Sequence, residues 1–192
     1  MKKEMLSTSQ MRSLSSIVRL AIVASLRANG AQSIAGLADS LGAGAKGLYY
    51  HIRHLEGAGL VRVKSVRSTS RREEAVYEAV GQVFGIENRG ESTIHSDAWR
   101  LFVRTVLRQS VRLWEKAVDA ARDGRLRPEH FLVETINVRL SSGDIEELRV
   151  KLDEVRAWAL KRNRPNGETR VSYTFLGCPV PASGDTSQHG VF

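Results

Sequence analysis

The chain has one cysteine, few aromatic residues and no long hydrophobic run. A single thiol cannot form an internal disulfide, and no cysteine or histidine cluster has the spacing of a zinc site. Charged residues interrupt every apolar run well short of the roughly 20 residues that a membrane-spanning helix needs. The N-terminus also lacks the continuous apolar stretch of a signal peptide. These absences predict a cytoplasmic protein with no metal or other cofactor and no membrane contact.

The chain does contain an excess of positive charge, and that excess is unevenly distributed. The formal net charge is +8. Residues 1–80 hold 12 of the 29 Lys and Arg residues but only 6 of the 21 Asp and Glu residues. Such a concentration favours a surface that binds a polyanion, although charge alone leaves a solvated basic face as the alternative.

The N-terminal part of the chain contains the patterns of three helices and a hairpin. Apolar residues at helical spacing predict helices over about 13–27, 34–41 and 44–56, each followed by a glycine that can end it. Alternating residues over 60–67 and 75–80, joined by a polar tip, predict two strands. Helix, short helix, helix and hairpin in this order predict a winged helix-turn-helix domain.

The rest of the chain is predicted to be a linker, a long helix and a small strand-helix-strand unit. The long helix spans 96–122 and carries a wide apolar stripe. Two alternating segments, 131–140 and 171–175, read as strands on either side of a helix that Ser141-x-x-Asp144 would cap. The fold class is therefore α+β, mainly α. Residues 1–11 are predicted to be a flexible N-terminus and residues 12–80 the DNA-binding domain. Residues 81–95 would be a linker, 96–178 a dimerisation or effector region, and 179–192 a disordered tail.

Helical geometry divides the third helix into two stripes about 130° apart. The stripe that would pack on the other helices comprises Ala45, Leu48, Ile52 and Leu55. The second stripe comprises Lys46, Tyr49, Tyr50 and Arg53. Lys and Arg donate to guanine acceptors or phosphates, and Tyr offers a hydroxyl and a flat apolar edge to thymine methyl groups. A surface helix with two exposed tyrosines is the alternative interpretation.

The predicted hairpin carries five basic residues between Arg62 and Arg72 and no acidic residue in that stretch. A basic β-ribbon beside a recognition helix can straddle phosphates or enter a minor groove. Gly44 and Gly47 remove side-chain bulk where the helix would approach bases. The candidate DNA-binding residues are Ala45, Lys46, Gly47, Tyr49, Tyr50, Arg53, Lys64, Arg67, Arg71 and Arg72. The predicted partner is double-stranded DNA.

Residues 12–80 resemble the ArsR-type winged-helix regulators. The resemblance is carried by Ile34-Ala-Gly-Leu-Ala-Asp-Ser-Leu-Gly42, by Gly47-Leu-Tyr-Tyr-His-Ile-Arg-His-Leu-Glu-Gly57 and by Gly59-Leu-Val61. It is closest to the branch whose recognition helix reads Leu-Tyr-Tyr-His-Leu, and the C-terminal unit resembles the extension in that branch. The resemblance implies a homodimeric repressor or activator on an inverted-repeat operator.

Two departures from the family pattern limit what the resemblance implies. The metal sensors of the family carry a cysteine pair in the helix before the turn, whereas residues 33–39 contain no thiol. We therefore predict no metal sensing at that site. Gly47 stands where the family has a polar residue, so one base contact would be missing.

A two-fold operator needs a rigid dimer, because the dimer sets the spacing of the half-sites. We therefore assign a seam of the long helix to dimerisation, with a core role as the alternative. The predicted seam comprises Trp99, Phe102, Val103, Val106, Leu113 and Trp114. A second set, Arg100, Arg104, Arg108 and Arg112, reads as a solvated face, with DNA, an acidic partner or an anionic effector as alternatives.

The sequence contains none of the nucleophile, metalloprotease or phosphate-loop motifs that would indicate catalysis. We therefore predict a regulator and not an enzyme, and any effector would act through the C-terminal half. The competing hypothesis is a winged-helix module for protein–protein contact with weak, non-specific DNA binding.

Overall fold

The computed structural model describes residues 4–68, 73–81, 84–85, 96–165 and 169–178. The helices are α1 (Thr8–Leu14), α2 (Ile17–Asn29), α3 (Ile34–Leu41), α4 (Ala45–Gly57), α5 (Asp97–Arg122) and α6 (Ser142–Lys161), with a 3-10 turn at Pro128–His130. The strands are β1 (Glu4–Met5), β2 (Gln32–Ser33), β3 (Val61–Ser68), β4 (Glu73–Ala79) and β5 (Phe84–Gly85). The fold is α+β and mainly α, as the sequence predicted.

Helix α1 corrects the expectation that residues 1–11 form a flexible N-terminus. Ser7 and Gln10 form a capping box, in which the Gln10 amide donates to Ser7 Oγ (3.2 Å) and the Ser7 amide donates to Gln10 Oε1 (3.0 Å). Gln10 Nε2 also donates to the carbonyl oxygen of Ala58 (3.2 Å), and Met11 is buried. A helix of seven residues shows too little periodicity to be recognised alone, since tertiary packing supplies most of its stability.

The single helix predicted over residues 13–27 is two helices, which meet at Ser15 and Ser16. Ser15 Oγ donates to the Met11 carbonyl (2.8 Å), and Ser16 is the N-cap residue of α2. Both helices contribute to one core. Its buried residues are Leu6, Met11, Leu14, Ile22, Val23, Leu26, Ile34, Leu37, Ala38, Leu48, Ile52, Leu55, Leu60, Val61, Ala98 and Phe102.

The hairpin of β3 and β4 extends an antiparallel sheet of order β2-β4-β3. Val63 pairs with Tyr77 and Ser65 pairs with Val76, so Lys64 is an extra residue at a bulge. The bulge shifts the alternation by one residue and places Val66 on the same face as Val63. Contrary to the expectation of a half-buried strand, Val63 and Val66 are 44% and 57% exposed. Most of β3 therefore lies outside the core, whereas β4 is largely half-buried.

Helix α5 joins the C-terminal half to the winged-helix domain through its first turns only. Ser96 Oγ accepts from the Trp99 amide (3.2 Å) and begins the helix, as predicted. Phe102 is buried against α1 and α2. Thr105 Oγ1, also buried, lies 3.2 Å from the carbonyl oxygen of Ser15. No described residue beyond Thr105 is buried.

The predicted C-terminal unit is only partly confirmed. Helix α6 begins at the predicted capping box, in which the Asp144 amide donates to Ser141 Oγ (3.2 Å). The strands predicted over 131–140 and 171–175 are wrong for the single chain, because the described residues of both segments have no strand pairing. Alternating apolar residues suit a strand, but a strand also needs a hydrogen-bonded neighbour.

Two predicted divisions fall largely or wholly outside the described residues. Of the linker predicted over 81–95, the structure describes Gly81 and Phe84–Gly85, and the latter pairs in parallel with Glu4–Met5. The tail predicted over 179–192 lies wholly outside the described residues. In the described ranges, no helix has the length and apolarity to cross a membrane.

Candidate nucleic-acid interface

Helices α3 and α4 form a helix-turn-helix in which α3 is capped at both ends. Ser33 Oγ accepts from the Gly36 amide (3.3 Å) and caps α3. Gly42 ends α3 with φ +62°, a left-handed conformation that glycine adopts without the strain of a Cβ atom. The Ala43 amide donates to the Ala38 carbonyl (3.0 Å), which directs the chain into α4.

Helix α4 has one buried side and one exposed side. Leu48, Ile52 and Leu55 are at most 2% exposed. The residues of the second stripe are all exposed: Lys46, Tyr49, Tyr50 and Arg53. Ala45, which the wheel assigned to the packing stripe, is exposed as well, because α4 begins at this residue, ahead of the core. The exposed side thus presents two cations and two phenol rings on a rigid support.

The first turn of α4 leaves open space around its backbone. A Cβ atom added to Gly44 or Gly47 would meet no heavy atom within 4 Å, and both residues are exposed. Neither glycine is therefore needed for packing within the chain. Their small size instead permits close approach of an external surface to the start of the helix.

Tyr77 of β4 connects the hairpin to α4. Burial raises the pKa of Tyr77, the nearby Glu56 and Tyr49 raise it further, and Arg53 opposes them. Tyr49 and Arg53 therefore lie within electrostatic reach of the hairpin. Tyr77 itself packs against the core, beside the buried side of α4.

The hairpin is less positive than the sequence of β3 implies, because β4 contributes the carboxylate of Glu78. Arg62 Nε donates to Glu78 Oε1 (2.8 Å), and Lys64 Nζ lies 3.4 Å from Glu78 Oε2. The Arg62 hydrogen bond, with help from Lys64, lowers the pKa of the Glu78 carboxyl. Sequence reasoning missed this pair, although Arg62 and Glu78 are directly opposite in the register.

The remaining basic hairpin residues differ in what the structure says of them. Arg67 is exposed near the end of β3, opposite Glu74. The predicted contacts Arg71 and Arg72 lie outside the described residues. The side chains of Arg62 and Lys64 are 69% and 57% exposed, so their ion pairs with Glu78 are weak and can exchange for a phosphate.

His51 lies on α4 next to the exposed stripe, but it points towards the protein. Burial lowers its pKa, and the positive charges of Arg19 and His54 lower it further. Its Nδ1 atom is buried and has no hydrogen-bond partner in the described part of the chain. Tyr50 meets the His51 ring edge-on, with 5.4 Å between ring centroids. The half-buried His51 ring thus contacts the exposed ring of Tyr50.

Comparison with known proteins agrees with this geometry. Residues 14–64 match the family model of a helix-turn-helix domain. The matched region runs from the last residue of α1 into β3 and includes the whole of α2, α3 and α4. No curated protein matches the chain. The match supports a DNA-binding regulator of the helix-turn-helix class.

Three of the six predicted dimer residues pack within their own chain. Phe102 is buried in the core, and Trp99 and Val106 pack against that core. Val103 and Leu113 are half-buried. Trp114 is 42% exposed and meets the Phe131 ring edge-on, with 5.1 Å between centroids. The first half of α5 therefore holds the two parts of the chain together.

Other residues singled out in the sequence are exposed. Arg100, Arg104, Arg108 and Arg112 all lie at the surface of α5, and the thiol of Cys178 is free and exposed. Over the described ranges, no three His, Cys, Asp or Glu side chains lie close enough together to hold a metal ion.

Proposed function

We propose that this chain is a homodimeric transcriptional regulator that binds an inverted-repeat operator in a sequence-specific manner. The carrying observation is the division of α4 into a buried side and an exposed side of Lys46, Tyr49, Tyr50 and Arg53. A major groove is wide enough for one α-helix and presents donors, acceptors and methyl groups that distinguish all four base pairs. The helix-turn-helix match supports this use of α4.

Each exposed residue of α4 has a role that suits its position. Lys46 lies in the first turn, where its ammonium group reaches a guanine or a phosphate. Tyr49 and Tyr50 contact thymine methyl groups or phosphates, and Arg53 donates to guanine acceptors one turn later. Ala45 and Gly47 let the backbone of the first turn approach the base edges closely.

The hairpin acts as the wing that contacts the DNA backbone. Lys64 and Arg67 bind phosphates, together with Arg71 and Arg72 from the tip. Phosphate contacts add affinity without selecting a sequence, and they make binding steeply dependent on salt. On binding, Lys64 exchanges the Glu78 carboxylate for a phosphate.

The resemblance to ArsR-type regulators supports the dimeric part of this proposal. Each α4 of a two-fold dimer reads one half-site, so the operator is an inverted repeat. Residues 33–39 lack the cysteine pair of the metal sensors. Regulation by this chain therefore does not use a metal at that position.

Selection from a random double-stranded DNA library tests the proposal. The wild-type chain is expected to enrich one inverted repeat, and Tyr49→Ala/Arg53→Ala is expected to enrich none. Arg122→Ala, an exposed substitution on α5, is the matched control and should enrich the wild-type sequence. If the library yields no enriched sequence with the wild type, the competing hypothesis of a protein-contact module replaces this one.

A further inference from the structure

Apolar side chains are distributed unequally between the two halves of the chain. Within the described ranges, every buried residue lies at or before Thr105. Most of the large hydrophobic side chains that are exposed lie after Leu101. The second half of the chain thus has an apolar composition without a core of its own.

Helix α5 carries a second apolar ridge on the side away from the core. Leu107, Val111 and Trp114 are 41%, 56% and 42% exposed, and Val118 continues the row. By helix geometry Val111 lies about 180° from the buried Phe102. These four residues are spaced four, three and four positions apart. Apolar residues at this spacing form the contact line between two helices in a coiled coil.

The segment 169–178 meets α5 at Thr174 and exposes a second set of rings. Ser110 Oγ and Thr174 Oγ1 are 2.7 Å apart, which fixes Thr174 against the helix. Neighbouring residues of an extended chain point the opposite way. Tyr173 and Phe175 accordingly stack on each other, with 6.4 Å between centroids, and are 63% and 58% exposed.

The segment 131–140 is more exposed still. Ile136 and Val138 are 73% and 62% exposed, and they alternate with the polar residues Asn137 and Arg139. An alternating segment of this kind is stable as a strand only when a neighbour pairs with its backbone. Within the described ranges, its own chain supplies no such neighbour.

We propose that a second copy of this chain covers this surface, and that segments 131–140 and 169–178 become strands only in the dimer. The ridge of Leu107, Val111, Trp114 and Val118 packs against the same ridge of the partner. The extended segments of the partner supply the missing backbone neighbours. The inference deepens the proposed function, since it rests on the homodimer and locates the two-fold interface.

Apolar exposure and charge both favour a second copy as the occupant. Twelve large hydrophobic side chains of the α5 ridge and the two extended segments are 41–73% exposed. Single exposed hydrophobic residues are normal on a monomer, whereas a concentration of this kind marks an interaction surface. The two extended segments carry only three charged residues, Glu134, Arg139 and Arg170. Such a surface does not suit DNA, and a two-fold dimer matches each apolar patch with an identical one.

Sedimentation velocity of the full chain at micromolar concentration tests the inference. The wild type should be a dimer, and Ile136→Asp/Val138→Asp should be a monomer, because two carboxylates then occupy the apolar face. The control Thr135→Asp/Asn137→Asp adds the same charge to the other face of the same segment and should remain a dimer. Neither substitution touches a buried residue, so circular dichroism should show unchanged helix content in both variants.

Hydrogen exchange supplies the second readout. Backbone amides of residues 131–140 should be protected in the wild type and in the control, and unprotected in Ile136→Asp/Val138→Asp. Val111→Asp, on the helix ridge, provides an independent test and should also give a monomer. A monomeric wild type would overturn the inference, and so would a dimer of Ile136→Asp/Val138→Asp that is as stable as the wild type.

Gel-shift experiments separate this inference from the proposed function. The monomeric variant should bind a single half-site as the wild type does, but should bind the full inverted repeat at least about tenfold more weakly, because it loses the second linked contact. A wild-type dimer that binds no operator would leave the interface standing and overturn the proposed function. Tight operator binding by a monomeric wild type would overturn the interface and the homodimeric part of the proposed function, and would leave sequence reading by α4 standing.

Discussion

Arg62 and Glu78 face each other across the hairpin, with Arg62 Nε 2.8 Å from the carboxylate that Lys64 also contacts. The hairpin therefore carries its own counter-ion, which would compete with DNA phosphates for the same two cations if the hairpin binds DNA as proposed. Because the cationic side chains are 69% and 57% exposed, the competition is weak. The exposed pair contributes little to stability, and in the proposed complex it would lower the affinity of the hairpin for DNA.

Removing that counter-ion should strengthen DNA binding. Glu78→Gln keeps the shape of the side chain and frees Arg62 and Lys64, so affinity should rise severalfold and the salt slope should steepen by about one unit. Fluorescence anisotropy titrations at several salt concentrations measure both quantities. The control Glu147→Gln frees Lys151 on α6 and should change neither. Unchanged affinity in Glu78→Gln would show that Arg62 and Lys64 do not contact DNA.

Replacing Gly47 by alanine should raise the stability of the chain and weaken its binding to DNA. Gly47→Ala meets no heavy atom within 4 Å and should raise the free energy of unfolding by up to about 1 kcal/mol, because alanine favours a helix. The added methyl group would face the DNA and should weaken operator binding. Urea denaturation and anisotropy measure the two effects.

The matched control lies at the other end of the same helix. Gly57→Ala also meets open space, so it should gain stability but keep the wild-type affinity. If both variants bind the operator as the wild type does, the first turn of α4 does not approach the bases.

Stability should depend on the protonation of His51. Its pKa is lowered from 6.5, chiefly by burial, so the folded state favours the neutral ring. As the pH falls, the unfolded chain binds a proton at this ring before the folded chain does. The contribution of the neutral ring to the free energy of unfolding is therefore complete above about pH 6.5, and it is lost as the pH decreases towards the lowered pKa. His51→Gln should therefore flatten the fall in the free energy of unfolding on the acid side of 6.5.

Urea denaturation at a series of pH values on either side of 6.5 checks this expectation. His130→Gln, at an exposed position in the 3-10 turn, is the control and should follow the wild-type curve. A His51→Gln curve parallel to that of the wild type would contradict the expected role of burial at this ring.

Thr105 is one of several contacts that join the two halves of the chain, beside the apolar packing of Phe102 and the hydrogen bond from Asn163 Nδ2 to the Arg27 carbonyl. Its Oγ1 atom is buried and lies 3.2 Å from the Ser15 carbonyl oxygen and 2.9 Å from that of Leu101. Thr105→Val keeps the volume but removes the one hydroxyl proton that these two carbonyl oxygens share, so the free energy of unfolding should fall by about 1–2 kcal/mol. Thr135→Val, at an exposed site, is the control. No loss in Thr105→Val would show that α5 docks by apolar packing alone.

The sequence predicted the long helices well because their apolar spacing determines which side packs. Helix α4 shows this most clearly, since Leu48, Ile52 and Leu55 are buried and Tyr49 is exposed. Contacts between elements were harder to predict. The pair of Arg62 with Glu78 depends on strand register, which a bulge at Lys64 shifts.

Two errors have a common physical origin. Helix α1 was missed and the strand over 131–140 was predicted wrongly, because both depend on what lies beside them in space. The Gln10 side chain ties α1 to the distant Ala58 carbonyl. Segment 131–140 has the alternation of a strand, but no described residue of the chain pairs with it. Local patterns predict a tendency, and tertiary or quaternary contacts decide whether it is expressed.

The most direct test of the central claim is the ratio of affinities for the enriched operator and for a scrambled duplex of equal length and composition, measured at physiological salt. If α4 reads bases, the wild-type ratio should be at least about 1,000. The same ratio for Tyr49→Ala/Arg53→Ala should approach one, while affinity for the scrambled duplex, which depends on the wing, changes little. A wild-type ratio near one, or an unchanged ratio in the double variant, would contradict the account.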